Sequence, residues 1–226
     1  MVKFGISLSF QIHPGQIHSG VSERWDTPYR ESLELASEAN RLGFDSIWAS
    51  EHHGEADGYC PSPVVACAAL AVAAPNCRIG QGVALAPLYG HPLRLAEDLS
   101  VIDNMSGGRI EIGLGQGYRP AEFESFGWNY KTRTRAFEES LDILGLAWRG
   151  ERFDYEGRIY KVKVTRSTPI SWQKRRPSIL SGTRKMVMGR LAGSRPASLA
   201  MTRNLSMTTP TPSFSSRSAR GIQPSP

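Results

Sequence analysis

An α/β fold of the (β/α)8 TIM-barrel type, but incomplete, is what this sequence of 226 residues predicts. Three observations carry that expectation. Strand-like segments begin near residues 3, 44, 78 and 109, and each is followed by a stretch with helical apolar spacing. Four such units in series require parallel strands joined by helical crossovers. The polar and unusual residues gather just after the strands, where barrel active sites lie, although a doubly wound sheet begins in the same way. Eight units need about 250 residues. Here the pattern fades after four, or five if Ser178–Leu180 is a strand, so the chain reads as the N-terminal half of a barrel.

The elements follow in order. Lys3–Phe10 (KFGISLSF) is apolar with partial alternation and reads as a buried first strand. After a loop holding Pro14, Gly15, Gly20 and Pro28, Leu33, Ala36, Ala39 and Leu42 share one helical face, and Gly43 supplies the C-terminal cap. Phe44–Ser50 is the second strand. A helix starting near Pro61 presents Val64, Val65, Ala68, Ala69 and Val72 on one side. Arg78–Ala86 is the third strand, and Pro92–Met105 a helix that Gly107-Gly108 ends. Arg109–Leu114 is the fourth strand, followed by a glycine-rich turn and a helix over 134–148. Arg152–Val164 reads as a hairpin turning at Glu156-Gly157, an insertion over one end of the barrel.

Composition narrows the function classes. With 40% apolar and 21% charged residues the chain is too rich in core formers for wholesale disorder. Its longest apolar run, Val64–Pro75, falls well short of a membrane span, and MVKFGISLSFQ does not read as a signal peptide. A cytoplasmic chain without a membrane partner is expected. Cys60, Cys67 and Cys77 match no zinc spacing and read as free thiols in a reducing compartment.

The charge is unevenly placed. Residues 1–165 hold all 21 acidic residues and 16 of the 27 basic ones, whereas residues 166–226 hold the other 11 basic residues and no acid. That boundary separates an N-terminal barrel part, 1–165, from a basic tail, 166–226, rich in Ser, Thr and Pro. The tail reads as a disordered segment, as an out-of-frame translation, or as an arm for nucleic acid. The last is disfavoured because only Trp172 and Phe214 could stack on bases.

Chemistry-bearing residues cluster at strand ends. The second strand exits into Glu51-His52-His53-Gly54. Paired histidines suit a metal-dependent hydrolase, yet neighbours on an extended strand face opposite sides and grip one ion poorly. Alternatively one imidazole enters the strand-end cavity for proton transfer while the other packs, or both are held by neighbours. Gly113-Leu-Gly-Gln-Gly117 lets backbone approach a ligand but is neither a dinucleotide fingerprint nor a P-loop. Arg135, in the first turn of the last helix, suits an anion near the helix N-terminus and equally an ion pair with Glu139. Trp48 and Trp148 read as core residues, and Asp98 as a solvated or paired helix charge.

Together FGISLSF, LGFDSIWASEHHG, RIGQGVALAPLYGHPLRLAEDLSVIDNMSGGRIEIGLGQGYRPAEFESFG and RTRAFEESLDILGLAW resemble the bacterial luciferase-like flavin-dependent monooxygenases. The resemblance covers about residues 3–160 and continues weakly to SILSGT at 178–183. It implies a barrel binding reduced FMN at the C-terminal strand ends, where O2 adds to flavin C4a and the peroxide oxygenates a small organic substrate. Reductant comes from a separate flavin reductase or, in some relatives, from a nicotinamide or deazaflavin cofactor. His52 matches the catalytic imidazole and Glu51 the adjoining carboxylate. Gly82-Val83 matches the segment against the isoalloxazine ring, where relatives carry a non-proline cis peptide, and Gly115 borders the same ring. Gln116 stands where the luciferases proper have an arginine, which argues against light emission. Arg135 matches a phosphate partner, and Ser181, with Gly182 and Thr183, the first of the later phosphate contacts. No metal is implied. An open half barrel is further expected to pair into a homo- or heterodimer and to bind flavin weakly or not at all.

Overall fold

The structure, a computed structural model, describes residues 2–12, 24–170 and 178–181. Five parallel strands form one sheet in the order β1 (Gly5–Leu8), β2 (Ser46–Ala49), β3 (Arg78–Leu85), β4 (Ile110–Gly115) and β7 (Ser178–Ser181). Helices α1 (Asp26–Arg41), α2 (Pro63–Ala73) and α3 (Pro92–Met105) connect the first four strands. Helices α4 (Pro120–Ser125) and α5 (Arg133–Ala147) follow β4. A separate antiparallel hairpin pairs β5 (Phe153–Glu156) with β6 (Lys161–Thr165).

Spatial strand order follows the chain without reversal. Right-handed crossovers then place every helix on the same face, whereas a doubly wound sheet reverses direction at its middle. The architecture is therefore of the barrel type, and the expected fifth strand is present, paired with β4 through Ile112 and Ile179. Three local expectations are corrected. The first strand ends at Leu8 rather than Phe10, because Phe10 turns out of it with φ of 55°. Pro28 belongs to α1 rather than to the preceding loop, since the first helical turn needs no N–H from it. Helix α4 was not foreseen in the glycine-rich turn, because six residues are too few for a periodic signal.

The two faces of the sheet differ as strand alternation requires. Ile47, Ile79, Ile110, Ile112 and Leu114 point to the helices and are fully buried with Leu70, Leu95, Leu99 and Leu144. Ser46, Trp48, Arg78, Gly80 and Glu111 occupy the other face by register. Trp48 lies so closely on Gly80 that a Cβ there would come within 2.2 Å of Trp48 Cε3, so only glycine fits. Trp48 is thus half-buried on the inner face, while Trp148 is a core residue whose Nε1 donates to the Ala96 carbonyl at 3.2 Å. Asp98 pairs with Arg94 along α3 at 3.0 Å. The cysteines are free and buried, and burial pushes the Cys60 thiol up to about 11 and Cys67 higher still.

The hairpin docks on α5 through Glu139, which the spacing marks only as an ion-pair partner for Arg135. Buried Glu139 accepts the backbone N–H groups of Arg158, Ile159 and Tyr160 at 2.9, 3.0 and 3.0 Å. Burial alone raises its pKa, but these three donors, with Arg135, outweigh it and hold Glu139 below its ordinary value.

Candidate functional site

The C-terminal ends of β2 and β3 are joined by one buried carboxylate. In β3 the register with β4 steps from Gln81↔Ile112 to Ala84↔Leu114, so one extra residue bulges there. The bulge is Gly82-Val83, whose peptide bond is cis. Glu51 spans it: Oε2 accepts from Leu85 N–H at 2.9 Å and from Gln81 Nε2 at 3.4 Å, one partner on each flank. Gln81 also donates to the Tyr89 hydroxyl at 3.3 Å, and burial together with Glu51 drives the Tyr89 pKa upward. Gln81, Ala84 and Leu85 are buried, while Gly82 is exposed and Val83 half-buried. An apolar platform is therefore presented between fixed flanks.

The two histidines turn to different carboxylates. His53 Nε2 lies 2.9 Å from Glu51 Oε1, with its ring edge-on to Phe126 at 4.7 Å. His52 Nδ1 lies 3.2 Å from Glu122 Oε1, and its ring meets Tyr59 edge-on at 4.9 Å. The His52 side chain keeps 27% of its surface exposed, against 2% for Glu122. Glu122 Oε1 also accepts the His53 backbone N–H at 3.2 Å. Arg119 pairs with Glu55 and stands 3.5 Å from His52 Nδ1. Among the described residues no group of three His, Cys, Asp or Glu is placed to hold a metal ion.

Beyond β4 the chain opens toward α5. A Cβ on Gly115 would lie 2.8 Å from Val83 Cγ2, so the glycine is what lets the bulge residue seat against β4. Gln116 Oε1 accepts from Thr134 Oγ1 at 2.7 Å, tying the glycine-rich turn to the first turn of α5. Arg135 does not join this cluster. Its guanidinium reaches Glu138 at 3.4 Å and Glu139 at 3.8 Å on its own helix, so of the two roles open to it the structure displays the ion pair. Ser181 ends β7 in register with Leu114, one residue before Gly115. The remaining candidates Gly182 and Thr183, and the basic tail from 182 onward with its nucleic-acid and out-of-frame readings, lie outside the described residues.

The geometry thus brings His52, Glu51, Gly82 and Val83 to one strand-end face and links Gly115 and Gln116 to it. Glu122, Gln81 and Arg119 belong to the same constellation but carry no signal in composition or spacing. All three fall within the long stretch RIGQG…AEFESFG that carries the resemblance, which singles out none of them. The residues fit the ring of a flavin, since an exposed Gly82 and a half-buried Val83 leave an apolar surface at the strand ends, held in place by Glu51. They do not by themselves supply a phosphate seat, because the foreseen cation is paired with carboxylates.

A parallel β/α sheet whose polar residues gather at its C-terminal edge defines the class as barrel-type, with the candidate site at the end of the strands where such folds carry theirs. The family model for luciferase-like monooxygenases matches residues 2–202, past the composition boundary at 165, and the chain belongs to that family. The oxygenase component of a flavin-dependent trigonelline monooxygenase from Acinetobacter baylyi is 31% identical over 67% of this chain and 42% of its own length. A monooxygenase structure from Streptomyces bottropensis superposes with a TM-score of 0.73 at 32% identity, covering 81% of this chain and 54% of that one. The oxygenating constituent of 3,6-diketocamphane monooxygenase from Pseudomonas putida, in complex with FMN, shares the fold with a TM-score of 0.70 at 23% identity, over 80% of this chain and 51% of that one. The chain spans about half the length of the curated relatives it matches. No described helix is long and apolar enough to cross a membrane.

Proposed function

We propose that this chain forms the ring-binding side of a flavin-dependent monooxygenase that uses reduced FMN and O2 on a small organic substrate. The observation that carries the reading is the exposed Gly82-Val83 bulge, clamped on both flanks by Glu51, the residue that precedes His52 in the chain. Family membership and the flavin named for the trigonelline relative support it. Reduced flavin, when bound, supplies the electrons that activate O2. The chain's own residues do the rest. Val83 and Gly82 support the ring plane, and Glu51 fixes the bulge by holding Leu85 and Gln81. His52 moves a proton at its ring nitrogen, a role worth about 10²–10⁴ in rate where a positioned acid or base acts. Gln116, Gly115 and Ser181 border the ring from β4 and β7. A separate reductase, or a nicotinamide or deazaflavin donor, supplies the electrons.

Flavin absorbance, perturbed on titration with the full chain, tests the proposal. The expected result is a saturable change that Val83→Asp weakens at least tenfold while the far-ultraviolet circular dichroism stays unchanged. A change unaffected by that substitution would contradict the placement of the ring.

A further inference from the structure

We propose that Glu122 is the positioning residue of His52: it fixes the imidazole as the Nδ1–H tautomer and leaves Nε2 as the nitrogen that accepts a proton. This rests on the reading of His52 as the acid–base group and deepens it. Two groups compete for Nδ1. Glu122 Oε1 stands at 3.2 Å and can only accept a proton from the ring if it is a carboxylate, whereas Arg119 stands at 3.5 Å and can only donate. One nitrogen cannot serve both. If Nδ1 were the bare nitrogen, its lone pair would face the lone pairs of a side chain that is 2% exposed. That is a buried repulsion where a hydrogen bond is geometrically available. The Arg119 group in question is already engaged by Glu55. Glu122 therefore wins Nδ1.

Two further observations make Glu122 an orienting group rather than a chance neighbour. The same Oε1 accepts the His53 backbone N–H at 3.2 Å, so it fixes the peptide that follows His52 as well as the ring. Its other oxygen, Oε2, is buried with no hydrogen-bond partner among the described residues, so the carboxylate's contacts are concentrated on the two histidines and Arg119. Among those residues no protein group bonds His52 Nε2. In the step this permits, a proton passes from an O–H of the bound ligand to Nε2 and its electron pair stays on that oxygen. The Nδ1–H to Glu122 bond becomes charge-assisted as the ring gains its positive charge. The logic is that of a base held in the correct tautomer by a third group.

The test is the ring-nitrogen tautomer of His52 in the 15N-labelled full chain, read by long-range 1H–15N correlation at a pH where the ring is neutral. The expected wild-type state is Nδ1–H. Glu122→Gln keeps an acceptor oxygen and is expected to retain it. Glu122→Met, of similar length without an acceptor, is expected to move the population to Nε2–H, and Arg119→Met to leave it unchanged. A wild-type ring found as Nε2–H, or a tautomer that answers to Arg119 and not to Glu122, would overturn the proposal. Should Glu122→Met not fold, the wild-type and Arg119→Met spectra still decide. No flavin is needed, so failure here leaves the flavin reading standing, and failure of flavin binding leaves the tautomer assignment intact.

Discussion

The two ends of the strand-end face are built on opposite principles. At the β2–β3 end, buried carboxylates are bonded across elements far apart in sequence: Glu51 to Leu85, and Glu122 to His52. At the start of α5, Arg135 is 48% exposed and pairs with carboxylates three and four residues along its own helix. Both ends carry residues that the resemblance in sequence singles out. Only the first is preorganised, because a buried acceptor has no water to fall back on and must hold its partners. An exposed arginine takes whatever carboxylate is nearest at little gain.

The largest effect separating the ends is expected for Glu51→Ala. It strips the buried Leu85 N–H and His53 of their acceptor and should cost about 3 kcal/mol in urea unfolding. A loss under about 1 kcal/mol would erase the contrast. Gly115→Ala comes next, because the added methyl meets Val83 Cγ2. A loss of about 1–2 kcal/mol is expected by the same measurement, as overpacking gives.

Acid sharpens the comparison from the α5 side. Glu139 is depressed in the folded chain, so its contribution is present above its ordinary value of 4.5 and is lost as pH falls through its lower folded value. Hydrogen exchange at Arg158, Ile159 and Tyr160 is expected to lose protection in that window, and Glu139→Gln to abolish the pH dependence. Arg135→Ala is the smallest effect, at most about 0.5 kcal/mol, as for an exposed helix pair. A larger loss would show that the guanidinium has a partner beyond its own helix.

The sequence exposes the fold where periodicity is long. Helix α3 falls on Pro92–Met105 as expected, since a proline start, an aligned Leu95, Leu99 and Ile102, and a glycine stop all agree. Helix α4 and the first turn of α1 escaped because six residues, or one polar turn around Pro28, carry too little apolar pattern. The site was legible as residue types after strands, and strand order bears out the barrel type over the doubly wound sheet. Glu122 could not be singled out by spacing, because its bond to His52 crosses 70 residues and no local rule records such a contact. Arg135 marks the converse limit. A motif position names a residue, while its neighbours decide what it holds.

The central claim is that this chain carries a built ring platform and, among its described residues, no built phosphate seat. The most direct measurement is the dissociation constants of FMN and riboflavin, titrated side by side into the full chain. Both are expected to bind weakly, within about fivefold of each other, the ~1 kcal/mol upper range of an exposed ion pair. A preference for FMN of about a hundredfold, or nearly 3 kcal/mol, that Arg135→Ala abolishes would contradict the account by showing a phosphate seat at the start of α5, and no binding of either flavin would contradict the platform.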